Sequence, residues 1–276
     1  MKRLIVTADD FGLAPEVNEA VELAHRQGIL SAASLMVAGA AAADAIARAR
    51  HLPDLRVGLH LVMVEGKPAL PPESIPDLVD ASGHLRQDLT RFGLDICARP
   101  SVRAQLKAEI EAQFRAYQQT GLPLDHVNGH KHFHLHPAVA TEVIAIGQQY
   151  GMRALRIPRE PATVIAQIEP GTHGPVSERF LARWLSLRAR RAGLRAPDQV
   201  FGLAWSGAMS APRVAGLLDH LGPGATEIYL HPATRDEFAG SATGYRYAEE
   251  LAALIDPEVC ALARRSDVTL TGYCDW

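Results

Sequence analysis

Histidines crowd one short stretch of the chain, where they could bind a metal ion. Five of the twelve histidines lie in the sequence HVNGHKHFHLH, from His126 to His136. Neutral imidazole is a common ligand for zinc and similar metals. An extended chain would place His130, His132, His134 and His136 on one face, whereas a helix would pair them four residues apart. In either conformation at least two imidazoles converge, although a polar loop without a catalytic role is the alternative.

Eight short apolar segments are predicted as β-strands, and they alternate with helical patterns. The predicted strands are Leu4–Ala8, Ser31–Val37, Leu55–Leu61, Leu124–Asn128, Ala154–Pro158, Gln199–Leu203, Thr226–Leu230 and Val268–Thr271. Alternating strands and helices predict a parallel sheet with right-handed crossovers. About eight repeats favour an α/β fold of the TIM-barrel-like (β/α) type, distorted or incomplete forms included, over an open doubly wound sheet. No glycine-rich phosphate loop follows a strand.

Two other stretches complete this prediction. Residues 66–100 carry little periodic signal and are predicted as a long loop, which in barrels is usually functional or contains small elements of its own. The pattern from Ala248 to Arg265 predicts one continuous last helix. No composition shift marks an interdomain linker, so we expect a single domain over residues 1–276.

Polar residues stand at the carboxyl ends of five predicted strands. They are Asp9 and Asp10 after the first strand, His60 in the third, His130 after the fourth, Arg156 in the fifth and His231 after the seventh. In a parallel barrel these ends open onto one face, where barrel active sites form. Residues as distant in sequence as Asp9 and His231 would therefore meet in one pocket.

Asp10, His60 and His130 form a candidate metal-binding set. Two imidazoles and one carboxylate leave coordination positions open for water and substrate. A divalent ion in such a site lowers the pKa of its bound water and polarises a carbonyl group. Zinc suits this set best, and magnesium is the alternative in a water-rich site.

Asp9 is the candidate general base, because adjacent aspartates at a strand end point in different directions. Arg156 would orient Asp9 or hold it ionised, and His231 is the candidate general acid. Each residue also has an ordinary interpretation: turn or capping residue for the aspartates, core histidine for His60, turn residue for His231, and ion-pair partner for Arg156. Their common position at strand ends favours the catalytic interpretation.

Composition excludes several classes of protein. The formal net charge of −3 disfavours a general nucleic-acid binder. Three scattered cysteines, Cys97, Cys260 and Cys274, predict neither a disulfide framework nor a cysteine zinc site, as expected in a reducing cytoplasm. No apolar run approaches the ~20 residues of a membrane span, and the amino-terminal run is too short for a signal peptide. An oligomer is compatible with the sequence.

Four motifs occur in order along the chain: TADDFG at Thr7–Gly12, GLHL at Gly58–Leu61, the stretch His126–Pro137, and EIYLHP at Glu227–Pro232. This ordered set resembles the YdjC-like carbohydrate deacetylases, the group that contains chitooligosaccharide deacetylase. The resemblance covers nearly the whole chain. It implies a TIM-barrel-like fold and metal-dependent removal of an acetyl group from an N-acetylated sugar.

The resemblance also implies roles for individual residues. It gives Asp10, His60 and His130 the role of metal ligands and Asp9 that of the base, with a weaker correspondence for His231 as the acid. The sequence departs from the family pattern at Asn128-Gly129, where Asp-Ser is frequent, and at Ala233, where Gly is frequent. The chain is also similar to the branch associated with hopanoid biosynthesis, which implies a glycolipid substrate.

A basic segment, Arg179–Arg195, holds six arginines and no acidic residue, interleaved with apolar side chains such as Trp184. A basic amphipathic helix with tryptophan can lie on an anionic membrane surface, here the inner face of the cytoplasmic membrane. The alternative is an ordinary surface helix whose apolar face packs on the barrel.

The sequence therefore predicts a cytoplasmic, metal-dependent deacetylase acting on an N-acetylated sugar or glycolipid. One alternative is another metallohydrolase, either a phosphoesterase or a cyclic amidase. A phosphate substrate is disfavoured because Lys131 and Arg156 are the only obvious cations near the predicted strand ends. The other alternative is a non-catalytic sugar-binding barrel, which would have no need of Asp9 beside a full set of ligands.

Overall fold

A curled parallel sheet forms the centre of the molecule in the computed structural model, which describes residues 1–172 and 176–275, with the backbone alone at residues 176–178. The strands are β1 (Lys2–Phe11), β2 (Ala32–Leu35), β3 (Arg56–Leu61), β4 (Val127–Gly129), β5 (Gln199–Phe201), β6 (Gly224–Leu230) and β7 (Val268–Leu270). Their order is β4-β3-β2-β1-β6-β5, and β7 pairs with the beginning of β1. All pairs are parallel, as the alternation of strands and helices predicts.

Residues 154–159 cross the gap between the two edge strands, β4 and β5. Leu155 forms a single parallel bridge to β4, and the N–H of Val200 in β5 donates to the carbonyl of Arg159 at 3.0 Å. The fifth strand predicted from the sequence is thus reduced to isolated bridges, because Pro158 has no N–H to donate to a ladder. The TIM-barrel-like fold is confirmed, in a distorted form.

Helices cover the outside of the sheet. They are α1 (Pro15–Gln27), α2 (Ala42–Arg50), α3 (Leu89–Ala98), α4 (Pro100–Gln119), α5 (Pro137–Gln149), α6 (Ala162–Ile168), α7 (Val176–Arg191), α8 (Ala211–Asp219), α9 (Tyr247–Ile255) and α10 (Pro257–Ala263). Short 3-10 turns lie at Pro72–Ser74 and His130–Leu135. Within the two described ranges, no helix combines the length and the apolar character needed to cross a bilayer.

One predicted helix is divided in the structure, and the predicted loop holds small elements of its own, as expected for its length. The predicted helix from Ala248 to Arg265 is broken into α9 and α10 at Asp256, whose carboxylate caps α10 by accepting the N–H groups of Glu258 and Val259 at 2.9 and 3.0 Å. An aspartate followed by proline is a helix-start signal, and it outweighs the apolar periodicity here. The predicted long loop at residues 66–100 contains α3 and the turn at Pro72–Ser74.

β1 is the strand that positions the site. It pairs with β6 along seven residues and with β2 toward its carboxyl end, and every residue from Leu4 to Phe11 is buried. A strand covered on both faces is expected to be almost continuously apolar. The two carboxylates at its end, Asp9 and Asp10, break this rule and therefore need polar partners.

Candidate active site

The carboxyl ends of β1, β3 and β4 bring Asp10, His60 and His130 together. Asp10 Oδ1 lies 3.2 Å from His60 Nε2 and 3.0 Å from His130 Nδ1, and the two ring nitrogens lie 3.4 Å apart. Ligands sharing one tetrahedral zinc at about 2.0–2.1 Å are separated by about 3.3 Å. The three side chains therefore fit the ligand set of a single divalent cation.

The backbone is bent at two places beside this set. Asp10 has a φ of 62°, and Lys131 and His132 have φ values of 54° and 52°. Residues other than glycine rarely adopt this left-handed conformation, and such strain concentrates at functional sites. At Asp10 the bend turns the chain directly after Asp9, so the adjacent carboxylates face different partners.

The bend at Lys131 and His132 also disperses the histidines of the His126–His136 stretch, which is neither extended nor α-helical. His130 is its one member in the metal-binding set. The next three bond to different elements: His132 to the Tyr229 hydroxyl, His134 to the carbonyl of Arg156, and His136 to Cys97. The expectation that two imidazoles of this stretch converge is therefore wrong, and the second imidazole comes from His60.

Asn128 holds His60 in place and connects it to Asp9. The amide nitrogen of Asn128 donates to Asp9 Oδ1 at 3.1 Å and to Ser34 Oγ at 2.9 Å, while its Oδ1 lies 2.7 Å from His60 Nδ1. A carboxylate can only accept, so the amide nitrogen faces Asp9 and the amide oxygen receives the His60 proton. His60 Nε2 is then left with a lone pair directed at the metal-binding set.

Asp9 forms a buried ion pair with Arg156, whose Nη1 donates to Asp9 Oδ2 at 2.5 Å. Arg156 also binds Glu227, with 2.6 Å between Nη2 and Oε1, and Glu227 accepts a further hydrogen bond from the Tyr273 hydroxyl. Burial alone would raise the pKa of Asp9. The positive charge of Arg156 and its hydrogen bond nevertheless hold that pKa well below its usual range, so Asp9 stays ionised.

His231 follows β6 and lies in the same cavity. Its backbone N–H donates to Glu250 Oε2 at 2.5 Å, and Met209 N–H donates to the other oxygen of Glu250 at 2.9 Å. The ring meets Tyr245 edge-on at 5.2 Å. His231 Nδ1 is buried and has no hydrogen-bond partner among the described residues, although other atoms of the residue line the cavity.

A cavity of about 650 Å³ opens above these residues. Parts of its wall come from the segments 65–87 and 240–247. Apart from histidines, the charged residues that line it are Asp9, Asp10, Glu65, Asp80 and Lys131. The lysine is paired with Glu65 at 3.2 Å, so the lining is acidic overall and suits an uncharged ligand better than an anionic one.

The structure thus gathers all six site residues predicted from the sequence. Five line the cavity, namely Asp9, Asp10, His60, His130 and His231, and Arg156 lies behind Asp9. Four further residues of the site, Asn128, Glu227, Glu250 and Tyr273, have no role predicted from the sequence. A charged residue inside the apolar strand Thr226–Leu230 was the available signal for Glu227, because a buried charge requires a partner.

Comparisons with known proteins agree with the residue pattern. A carbohydrate deacetylase of Thermoanaerobacter pseudethanolicus is 27% identical over 99% of this chain and 98% of its own. A carbohydrate deacetylase of Geobacillus stearothermophilus is 29% identical over 98% of this chain and 96% of its own. A chitooligosaccharide deacetylase of Serratia marcescens is 34% identical over 58% of this chain and 61% of its own.

A solved structure shares the fold. The protein, from Enterococcus faecalis V583, is described as a candidate cellobiose-phosphate cleavage protein; it superposes with a TM-score of 0.77 at 24% identity, covering 99% of this chain and 97% of that one. The sequence profile of the family described as YdjC-like protein matches residues 3–265. The resemblance seen in the four motifs is therefore confirmed, and the chain belongs to the YdjC-like family.

Proposed function

We propose that this protein is a metal-dependent deacetylase that hydrolyses the acetamide of an N-acetylglucosamine-type sugar and releases acetate. The observation that carries the proposal is the group of Asp10, His60 and His130, whose ligand atoms all lie within 4.8 Å of one another, next to the ionised carboxylate of Asp9. The names of the two relatives matched over nearly their full length, both carbohydrate deacetylases, support the substrate class.

The metal-binding set would supply the electrophilic chemistry. A divalent ion held by Asp10, His60 and His130 would polarise the acetyl carbonyl and lower the pKa of a bound water. Zinc suits two imidazoles and a carboxylate best, and magnesium is the alternative. The hydrogen bond between His60 and Asn128 would favour metal binding, because it fixes the orientation of the ring and its tautomer.

Asp9 acts as the general base in this proposal. Asn128 and Arg156 each hold one of its oxygens, so the carboxylate is fixed in direction and accepts a hydrogen bond from the attacking water. Its lowered pKa makes it a weak base, and the proton must therefore move on to a stronger one. The departing amine takes its proton from protonated His231, and the proton held by Asp9 then returns to His231 through solvent, so that water and amide become acetate and amine with both side chains restored.

The charged residues of the site favour a deacetylase over two of the three alternative functions. Four carboxylates and one paired lysine line the cavity, which disfavours a phosphoesterase because phosphate sites need cations or backbone N–H donors. A non-catalytic sugar-binding barrel has no use for the buried pair of Asp9 and Arg156 beside a set of metal ligands. A cyclic amidase would use the same site, and a substrate panel distinguishes it.

The test is acetate release after metal removal and metal add-back. The chelator-treated protein is assayed with chitooligosaccharides, an N-acetylglucosaminyl glycolipid of the hopanoid type, a cyclic amide and a phosphoester, before and after addition of zinc or magnesium. We expect acetate from an N-acetylated sugar only after metal addition, and none from the His60→Ala variant. Release that survives complete metal removal, or hydrolysis of the cyclic amide or phosphoester alone, would refute the proposal.

A further inference from the structure

Helix α7 has an apolar face that packs on the barrel. Ala182, Leu185 and Ala189 are buried, and their spacing of three and four residues places them on one side of the helix. This side contacts α5 and the 3-10 turn at His130–Leu135. The packing expected of an ordinary surface helix is therefore present in α7.

A second apolar stripe lies on the opposite side of α7, in solvent. Phe180, Trp184 and Leu187 are four and three residues apart, so they share a face. Phe180 is 74% exposed and Leu187 54% exposed, whereas Trp184 is partly buried and packs against the core at the edge of the stripe. The other exposed large apolar side chains in the described chain are Met1 and Leu94. Phe180 and Leu187 are too exposed to contribute to the core, and exposed apolar patches of this kind mark binding surfaces.

Arginines surround the stripe on the same helix. Arg179, Arg183, Arg188, Arg190 and Arg191 are all exposed, and within the described part of the chain none of them forms an ion pair with a carboxylate. Arg188 lies over the Trp184 ring at 5.5 Å. This arrangement of exposed cations around an apolar stripe is complementary to an anionic bilayer, which offers phosphates above hydrocarbon.

A cleft beside the stripe adds space for a headgroup. It measures about 510 Å³, and three arginines of α7 line it together with Arg159 and Leu187. Its two acidic lining residues, Glu160 and Asp198, are occupied by backbone N–H groups, those of Gly202 and of Ala225 at 2.9 Å each. The four arginines of the cleft outnumber its two carboxylates, so the cleft favours an external anion.

We propose that the outer face of α7 docks this protein on an anionic phospholipid bilayer. The stripe of Phe180, Trp184 and Leu187 inserts at the interface, and the arginines bind lipid phosphates. In this arrangement α7 lies between the bilayer and the turn at His130–Leu135, on which its buried side packs. The inference stands independently of the proposed function, since it concerns residues outside the cavity.

The experiment is sedimentation of the full-length protein with vesicles. Vesicles of phosphatidylcholine with phosphatidylglycerol are compared with vesicles of phosphatidylcholine alone, at low and at high salt. We expect binding to the anionic vesicles only, weakened by salt. The double variant Phe180→Ser/Leu187→Ser and the double variant Arg183→Gln/Arg190→Gln should each reduce binding at least tenfold, whereas Leu94→Ser, an equally exposed apolar position on α3, should not.

Three outcomes would overturn the docking proposal. The first is an absence of binding to anionic vesicles at low salt, and the second is wild-type binding by both double variants. The third is self-association in analytical ultracentrifugation that Phe180→Ser/Leu187→Ser abolishes, which would make this face an interface between copies. Binding of inorganic phosphate with no binding of vesicles belongs to the first outcome, and it would reduce the cleft to a site for a free anion. None of these readouts depends on acetate release.

Discussion

Arg156 donates a hydrogen bond to Asp9 at 2.5 Å inside the barrel, and the same guanidinium binds Glu227 at 2.6 Å. One buried cation thus compensates two buried carboxylates. Replacing it with an apolar residue, as in Arg156→Met, leaves both carboxylates without a charge partner. We expect the free energy of unfolding at pH 7 to fall by about 3–5 kcal/mol, the usual effect of breaking a buried ion pair, as measured by urea denaturation.

The matched variant tests whether charge is the reason for this loss. Arg156→Met combined with Glu227→Gln removes one of the two uncompensated charges and keeps the volume of that side chain. The double variant should therefore be more stable than Arg156→Met alone, with clear non-additivity. Equal or greater destabilisation in the double variant would contradict the charge explanation.

Metal affinity should depend on Asn128, which receives the Nδ1 proton of His60 at 2.7 Å. Removing the partner of a ligating histidine typically lowers metal affinity about 10–100-fold, because ring orientation and tautomer are no longer fixed. We expect this loss for Asn128→Ala in competition with a chromogenic chelator. Ser34→Ala is the control, since Ser34 touches the amide nitrogen of Asn128 but not His60. Equal losses in both variants would speak against the ring-fixing role.

One property of parallel α/β folds made both the fold and the position of the site predictable from the sequence. Parallel strands joined by helices have all their carboxyl ends on one side, so Asp9, His60 and His231 could be assigned to one pocket without knowledge of any distance. Isolated bridges replace the predicted fifth strand, because Pro158 has no N–H to donate to a neighbouring strand. Even so, the chain there keeps its direction, and Arg156 still reaches the interior.

The partners of the site residues could not be predicted in this way. Asn128, Glu227 and Glu250 act through contacts between strands and helices distant in sequence, and those contacts depend on rotamers and on small backbone bends. The left-handed conformation at Lys131 and His132 is one such bend. Periodicity alone suggested that the neighbouring histidines share a face, whereas this bend sends each to a different element.

Asp125 should make the stability of the fold depend on pH. Burial by itself would raise its pKa, but hydrogen bonds from His126 and from the backbone N–H groups of Tyr273 and Cys274 hold that pKa below its ordinary value. A carboxylate whose pKa is lowered by folding stabilises the native state at neutral pH. This contribution is lost as the pH falls below about 4 toward the folded-state pKa, where the native carboxylate also takes up its proton.

The measurement compares the wild-type protein with Asp125→Asn in urea denaturation between pH 7 and pH 3. We expect a clear stability difference at pH 7 that narrows as the pH falls through this lower range. Asp54→Asn is a control for general charge effects, because Asp54 is exposed and shows no hydrogen bond among the described contacts. A difference that stays constant with pH would mean that Asp125 acts through shape or neutral hydrogen bonds.

The separate tasks proposed for Asp9 and His231 can be distinguished by the leaving group. An amide expels a strongly basic amine and needs a proton donor, whereas an activated aryl acetate expels a weakly basic phenolate and does not. Loss of a general acid should therefore slow amide hydrolysis alone, and loss of the general base should slow both reactions, since water attacks in each. General acid–base catalysis typically contributes about 10²–10⁴-fold to the rate.

We accordingly expect His231→Gln to lower kcat for an N-acetylated sugar by about 10²–10⁴-fold. The same variant should leave hydrolysis of the aryl acetate nearly unchanged. Asp9→Asn should lower both rates. Metal content, measured by mass spectrometry, should stay at the wild-type level in the two variants, because neither side chain belongs to the set of Asp10, His60 and His130. Comparable losses on both substrates in His231→Gln would show that His231 binds or positions substrate, and near-normal rates in Asp9→Asn would remove Asp9 as the base.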